Sequence, residues 1–400
     1  MRERSEVLKL IFDPGRLQID WTDGHHSEYH AQWLRDNCPE DRDPRNGQRR
    51  VDIADLPPQP AIGAVSHGDH PSILLTWSGE PKSSWFSLEW LRDHCYCEHH
   101  RRSRNRIPIL WTAERTNDLP WLDYQVLQSP AARIQWLRAL VDYGIAFLRN
   151  VPCVEGQVLE IAGIIGYVRE TNYGKIFDVR SMEKPNNLAY SDLGLGVHTD
   201  NPYREPVPGL QILHCLQSSS EGGESIFVDG FAVAERLRTE HPKAYETLAR
   251  VEVPFAFCDD SAELRARRPL LSVSAAGELQ AVHYNNRSIA PLSLDTDELA
   301  QFYEAYRLFA QLLRHSDFEF RTKLENGDLV AFNNRRLLHG RTAFRSGASP
   351  RWLQGCYLDQ DGLFSNLAVL ERKAQGVSPS RKRESISSRT SSHPATLSTT

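Results

Sequence analysis

Short apolar strands closed by turn residues recur between residues 186 and 230, 250 and 290, and 328 and 360. Two helical runs, FAVAERLRTEHPKAYETLA and DELAQFYEAYRLFAQLLRH, interrupt them. A parallel sheet would need strand and helix in regular alternation. Strands that cluster and are broken by occasional helices fit an antiparallel barrel or sandwich with helical insertions. Neither GxGxxG nor GxxxxGK followed by Ser or Thr occurs, so the phosphate-cradling nucleotide folds lose support.

Upstream the pattern differs. The first hundred residues read as short strands and turns, with a weak internal repeat in which Trp21 precedes QWLRDNC and Trp77 precedes EWLRDHC. Two related hairpins explain it. The basic run His99 to Arg106 cannot be buried and reads as a boundary, a nucleic-acid patch being the sharper alternative. Beyond it PAARIQWLRALVDYG is helical, with Ile134, Leu137, Leu140 and Val141 on one face and Gly144 placed to end it; a strand, IAFLRNVP, and a short helix containing Val158 to Ile165 follow. The expected division is a small β-rich domain over 1–105, a main domain over 106–373 and a disordered tail over 374–400, where Ser, Thr and basic residues leave too little apolar surface to pack.

Composition sets outer limits. With 40% hydrophobic and 25% charged residues the chain is an ordinary globular protein, and a net charge of −5 gives no field that draws in nucleic acid. Seven scattered cysteines are unlike a secreted disulfide framework. No signal-like apolar run precedes the body, and no stretch is apolar enough to span a membrane, so the expectation is a cytoplasmic protein with neither nucleic-acid nor membrane partner.

A non-haem Fe(II) site of the facial type needs two imidazoles and one carboxylate on one side of the ion, leaving the other positions open. His-x-Asp presents two of these from one turn, and the chain has three such pairs: His67/Asp69, His198/Asp200 and His315/Asp317. The third ligand must arrive from a distant strand, with an Arg soon after to hold a carboxylate. His339 follows the apolar strand DLVAFNN and is itself followed by Arg351. His315 lies too near His339 at the end of a helical run, and His67 sits in a Gly/Pro-rich turn. His198 and Asp200, in LGLGVHTDNPY, remain.

Those segments, HTDNPY, GLQILHCL and GGESIFVDGF, then LVAFNNRRLLHGRTAF and PRWLQGCY, resemble in order the γ-butyrobetaine hydroxylase and trimethyllysine hydroxylase family of Fe(II)/2-oxoglutarate dioxygenases. The likeness runs from about residue 10 to residue 370 and includes WLRDNC. It implies a mixed α/β, mainly β fold: a double-stranded β-helix (jelly-roll) core with helical insertions plus the small β-rich N-terminal domain. It also implies Fe(II), with 2-oxoglutarate and O2 as co-substrates, and a homodimer. His198, Asp200 and His339 would bind iron; Arg351, Leu213 and Ser225 would hold 2-oxoglutarate. Tyr173, Phe177, Tyr190 and Tyr357 would cage a trimethylammonium group, which offers no hydrogen bond and must be recognised by aromatic faces. His214 and His283 read as plain core or surface positions.

The chain departs from that family in two places. Members often carry a structural zinc held by three Cys and a His beginning at the Cys of WLRDNC, but here only Cys38 is present, and one thiolate cannot build a tetrahedral site. Cys95, Cys97, His94 and His99 have a spacing that matches no standard site, so no zinc is expected. At the anionic end of the substrate fall Asn187, Asn201, Asn286 and Arg287, and the extra amide and guanidinium at Asn201 and Arg287 suit a phosphonate better than a carboxylate. This resembles family members acting on 2-trimethylaminoethylphosphonate, and implies hydroxylation of the carbon bearing phosphorus to the 1-hydroxy product, with succinate and CO2. The alternatives are γ-butyrobetaine, a less fitting trimethyllysine, and an iron-free homologue kept as a binding protein, against which the complete set of His198, Asp200, His339 and Arg351 argues.

Overall fold

A computed structural model describes residues 6–67, 71–104, 107–180, 193–219, 221–344 and 351–376; Asp69 and the tail beyond 376 lie outside them. Chain contacts divide it into two units, 1–106 with 375–400, and 107–374.

The first unit is a pair of three-stranded antiparallel sheets, each leading into a short helix. Strands β1 (Val7–Asp13), β2 (Arg16–Trp21) and β3 (His26–His30) precede helix α1 (Ala31–Asp36), and β4 (Ile62–His67), β5 (Ser72–Trp77) and β6 (Ser83–Ser87) precede α2 (Leu88–Asp93). Alternation sends Leu17, Ile19 and Trp21 from one sheet and Ile73, Leu75 and Trp77 from the other into one core. The repeat extends to its polar detail. Trp21 Nε1 donates to Ser27 Oγ at 2.9 Å, and Trp77 Nε1 donates to Ser84 Oγ at 2.9 Å. The basic run forms helix α3 (Glu98–Arg104) at the end of this unit.

The second unit opens with β7 (Trp121–Asp123), α4 (Pro130–Tyr143), β8 (Ile145–Arg149), α5 (Gln157–Ile165), β9 (Val168–Arg169) and β10 (Phe177–Arg180). Then come β11 (Leu195–His198), β12 (Leu210–Gln217), β13 (Ser225–Asp229), α6 (Gly230–Glu240) and α7 (Pro242–Arg250). The hairpins β14 (Glu252–Cys258) with β15 (Glu263–Pro269) and β16 (Leu271–Val273) with β17 (Leu279–Val282) lead to α8 (Thr296–Leu312). Last are β18 (Glu319–Thr322), β19 (Leu329–Asn333), β20 (Leu337–Arg341), β21 (Trp352–Leu358) and α9 (Gln360–Ala374).

Two sheets form the jelly roll. The larger runs β10-β21-β12-β19-β8-β7, with β9 also on β21, and the smaller runs β11-β20-β13-β18. Phe147 of the larger sheet lies 6.0 Å, centroid to centroid, from Phe227 of the smaller, and Phe332 is 5.7 Å from the same ring, so aromatic edges fill the interior. On the other side of the larger sheet Ala146 and Leu148, which alternate with the inward Ile145 and Phe147, pack beneath Ile134, Leu137 and Leu140 of α4 and Leu363 and Leu367 of α9. Helices α6, α7 and α8 cover Val228 and Leu338 of the smaller sheet.

Gly144 ends α4 in the left-handed region (φ 75°). Val141 is only half-buried, and Trp136 instead takes a fully buried place on that face. The run FAVAERLRTEHPKAYETLA is two helices rather than one. His241, which precedes Pro242, leaves the helical region at φ −136°, because a residue before proline clashes with the ring in the α conformation. Helix α9 had been expected from nothing in the strand pattern, although Leu363, Leu367 and Leu370 carry helical spacing.

Candidate active site

Strand pairing brings the histidines together. In the β11–β20 ladder His198 stands directly opposite His339, and their rings lie 4.4 Å apart. Asp200 follows β11 by one turn. Its Oδ1 is 3.2 Å from His198 Nε2 and its Oδ2 3.8 Å from His339 Nε2. One donor atom from each of the three lies within 4.8 Å of the others, which is the spacing a single small ion bridges.

Neighbouring groups orient this trio. His198 Nδ1 is 2.9 Å from the Gly196 carbonyl oxygen, which can only accept, so Nδ1 carries a proton and Nε2 is the ring atom turned to Asp200. Asn334, wholly buried, accepts from the Asp200 backbone N–H at 2.7 Å and donates to the Asp200 carbonyl at 3.0 Å. Tyr357 donates its hydroxyl to Asp200 Oδ2 at 2.8 Å. Burial alone would raise the Asp200 carboxyl; the facing imidazoles of His339 and His198 and the Tyr357 hydroxyl reverse this and keep it ionised. Burial, reinforced by His198, pushes His339 down to about 3, so it is neutral and its nitrogen can bind a cation. Two imidazoles, one of them hydrogen-bonded from behind, and one carboxylate are a donor set that suits Fe(II).

The trio opens on a cavity of about 460 Å³, and its walls separate by chemistry. Arg351, Leu213 and Ser225 line it, joined by Arg341 of β20. Arg351 is 7% exposed, and burial, followed by the nearby Arg341 charge, brings its pKa down to about 10. Among the described residues no carboxylate forms an ion pair with Arg351. Such a guanidinium, buried beside a second one, is a receptor for an anion. Gly223, at φ 73°, makes room for it: a Cβ there would meet the Arg351 Cδ at 3.2 Å and Ser219 Oγ at 2.7 Å.

Another wall is aromatic. Phe177 lies 4.9 Å from Tyr357, centroid to centroid. It rests on Gly355, directly opposite in the β10–β21 ladder, where any Cβ would come within 2.5 Å of the ring. Tyr173 shares a hydroxyl contact of 3.3 Å with Tyr203, and Tyr203 stacks on Phe257 at 5.1 Å. Tyr203 and Phe257 line the cavity and were not among the sequence candidates. The short Tyr-bearing turn after His-x-Asp was a usable signal for the first; nothing local marks Phe257, which arrives on the β14–β15 hairpin.

The polar candidates divide. Asn201 and Arg287 line the cavity, Asn201 buried in the left-handed region (φ 57°) with its carbonyl accepting from Tyr203 at 2.6 Å and its NH2 without a partner. Asn286 does not line it. That side chain is exposed and accepts from the Tyr306 hydroxyl at 2.7 Å, while its neighbour Asn285 takes the inward place. The chain turns here, the Ser288 N–H donating to the Asn285 carbonyl at 3.1 Å, so adjacent side chains leave in different directions. Asn187 and Tyr190 lie outside the described residues. Of the rejected pairs, His315 Nδ1 lies 3.3 Å from Asp317 Oδ1 with both side chains exposed, away from the cavity lining. His214 and His283 are buried core positions. No helix among the described residues is long and apolar enough to cross a membrane.

Comparison with known proteins agrees with this geometry. Residues 105–357 match the family model "Taurine catabolism dioxygenase TauD, TfdA family", and residues 8–92 match "Gamma-butyrobetaine hydroxylase-like, N-terminal". The chain is 38% identical to the gamma-butyrobetaine dioxygenase of Pseudomonas sp. (strain AK-1), over 89% of this chain and 94% of that protein. It is 30% identical to the human gamma-butyrobetaine dioxygenase, over 90% and 95% of the two chains. To the mitochondrial trimethyllysine dioxygenase of Bos taurus it is 31% identical, over 86% and 82%. The chain therefore belongs to the TauD, TfdA dioxygenase family, within the group that includes the gamma-butyrobetaine and trimethyllysine dioxygenases, and is an enzyme that uses Fe(II) and 2-oxoglutarate.

Proposed function

We propose that this enzyme hydroxylates a small trimethylammonium compound whose far end is anionic, with γ-butyrobetaine as the first reading. The observation that carries it is one cavity lined together by the His198, Asp200 and His339 donors, by aromatic rings and by the buried Arg351 guanidinium. Iron held by that trio would supply O2 activation, coupled to conversion of 2-oxoglutarate into succinate and CO2 and to insertion of one oxygen atom into a substrate C–H bond.

The protein's own part is binding and orientation. Arg351 pairs bidentately with the distal carboxylate of 2-oxoglutarate, Ser225 offers a hydroxyl and Leu213 packs on the methylenes. Tyr173, Phe177, Tyr203, Phe257 and Tyr357 turn ring faces to the quaternary ammonium, which hydration by water alone would hold less selectively. Asn201 and Arg287 receive the anionic end. Two fixed ends set which carbon faces the metal, an orientation effect. The reading carries with it a cytoplasmic homodimer, whose mass sedimentation measures.

A second reading, 2-trimethylaminoethylphosphonate hydroxylated at the carbon bearing phosphorus, is favoured by a specific observation. Arg287 and the unpartnered Asn201 amide both line the cavity, giving more donors and positive charge than one carboxylate needs. Succinate formation by the anaerobically reconstituted enzyme, compared across γ-butyrobetaine, the phosphonate and trimethyllysine, separates the readings. The first expects the highest kcat/KM with γ-butyrobetaine. If the phosphonate is preferred and Arg287→Ala lowers its kcat/KM by about tenfold to a hundredfold, the loss of roughly 1.5–3 kcal/mol expected for a charge-assisted contact, the second reading replaces it.

A further inference from the structure

We propose that His25, Cys95, Cys97 and His100 of the N-terminal unit form a tetrahedral site for a structural zinc ion. The site follows from the internal repeat. Each half anchors a Trp to a Ser, Trp21 to Ser27 and Trp77 to Ser84, and each continues through a short WLRD helix to a cysteine, Cys38 or Cys95. Each cysteine then reaches the hairpin of the opposite half. Cys38 Sγ meets Ser84 Oγ at 3.0 Å and the Glu40 carboxylate at 3.1 Å, neither of which completes a zinc site. Cys95 Sγ meets an imidazole, His25 Nε2, at 3.4 Å.

The sequence after Cys95 supplies the rest. Cys97 Sγ is 3.9 Å from His25 Nε2 and 3.3 Å from His100 Nδ1, and the His25 and His100 rings are 4.5 Å apart. All four donor atoms lie within 4.8 Å of one another. A tetrahedral ion with Zn–S near 2.3 Å and Zn–N near 2.0–2.1 Å has N···S edges of about 3.6 Å. The three N···S separations measured here, 3.3, 3.4 and 3.9 Å, lie on both sides of that value.

Chemistry selects the ion. Two sulfurs and two imidazole nitrogens in a tetrahedron are a zinc donor set. Two thiolates and two neutral rings cancel the charge of a dication, so the centre can sit against Cys95, which is wholly buried, without burying net charge. Closure ties the β2–β3 turn to the segment after α2 and to α3, in a small unit whose single core is modest. The sequence pointed away from zinc because it paired Cys95 and Cys97 with His94 and His99. His94 stacks on Trp90 at 4.2 Å, while His25, seventy positions before Cys95 and joined to it by the fold, takes the ligand place.

Cobalt titration of the full-length chain, stripped of metal under reducing conditions, tests this apart from the oxygenase centre, because His198, Asp200 and His339 include no sulfur. Wild type, Cys38→Ser and His339→Ala should each develop a thiolate-to-cobalt charge-transfer band that added zinc abolishes; Cys95→Ser and Cys97→Ser should lose it. His25→Ala, which leaves both thiolates and changes a partly exposed position, should weaken zinc retention against a chelator by about tenfold or more. A wild type without the band, a band that persists in Cys95→Ser or Cys97→Ser, a band lost in Cys38→Ser, or unchanged retention in His25→Ala would each overturn the proposal.

Discussion

Tyr357 joins two tasks in one side chain, its ring facing Phe177 in the aromatic wall and its hydroxyl donating to Asp200 Oδ2. Burial and the adjacent Asp200 charge raise its pKa well above the usual phenol value, so the proton stays on Tyr357 and the hydrogen bond is one-directional. Tyr357→Phe keeps the ring and removes the donor. Iron affinity, read by anaerobic titration, should fall about 10- to 100-fold, as for other groups that hold a ligand in place, with a smaller rise in KM for the trimethylammonium substrate. Arg351→Ala should raise the KM for 2-oxoglutarate by about tenfold to a hundredfold and leave substrate KM close to wild type. At this scale the sequence was readable where chemistry needs a rare residue type at a fixed spacing, as in the trio and Arg351; Tyr173, Phe177 and Tyr357, which the family resemblance implied, line the same cavity. It was not readable where either of two adjacent residues would serve. Asn285 and Asn286 are chemically identical, and only the direction of the backbone decides which faces inward.

Among the elements, the junction of β13, β20 and α4 depends on one buried ion pair. Arg336 donates through Nε and Nη2 to both oxygens of Asp229, at 3.0 and 2.7 Å, and through its other hydrogens to the carbonyls of Asp142 and Ile109. Asp229 accepts further from the Trp111 and Phe231 backbone N–H groups. Four of the five Arg336 N–H groups and both Asp229 oxygens are answered, so removing one partner leaves a buried charge alone. Asp229→Asn should destabilise the second unit by about 3–5 kcal/mol in urea denaturation, far more than an exposed pair such as Arg238–Glu235 would cost. The helix starts and stops were legible wherever a punctuating residue stood, as at Gly144. Pro242 carried the same kind of signal, but apolar spacing continued across it, and reading the run as one helix missed the break.

For the molecule as a whole, the sandwich was legible from clustered strands, whereas the site depends on contacts between segments far apart in sequence. The Phe257 wall and the His25–Cys95 meeting leave no local periodicity to read. Burial also fixes an acid limit. His214 and His283 are held neutral, their pKa values lowered to about 4 and about 3 by burial, with the Arg268 and Arg335 charges adding to the effect at His283. Unfolded, each would bind a proton below about pH 6.5. The unfolded state therefore holds more protons, and stability is lost as pH falls from about 6.5 toward 4, by up to about 2 kcal/mol per histidine at pH 5. Chemical denaturation at pH 7 and pH 5 reads that loss. The central claim is that His198, Asp200 and His339 hold one ferrous ion beside Arg351 within reach of a caged trimethylammonium substrate. Succinate production by anaerobically reconstituted wild type and by His198→Ala, with and without that substrate, tests it most directly. Turnover in the wild type should rise with both added iron and a trimethylammonium compound, and His198→Ala should show none above background. Equal turnover in the two proteins, or turnover indifferent to every trimethylammonium compound supplied, would contradict it.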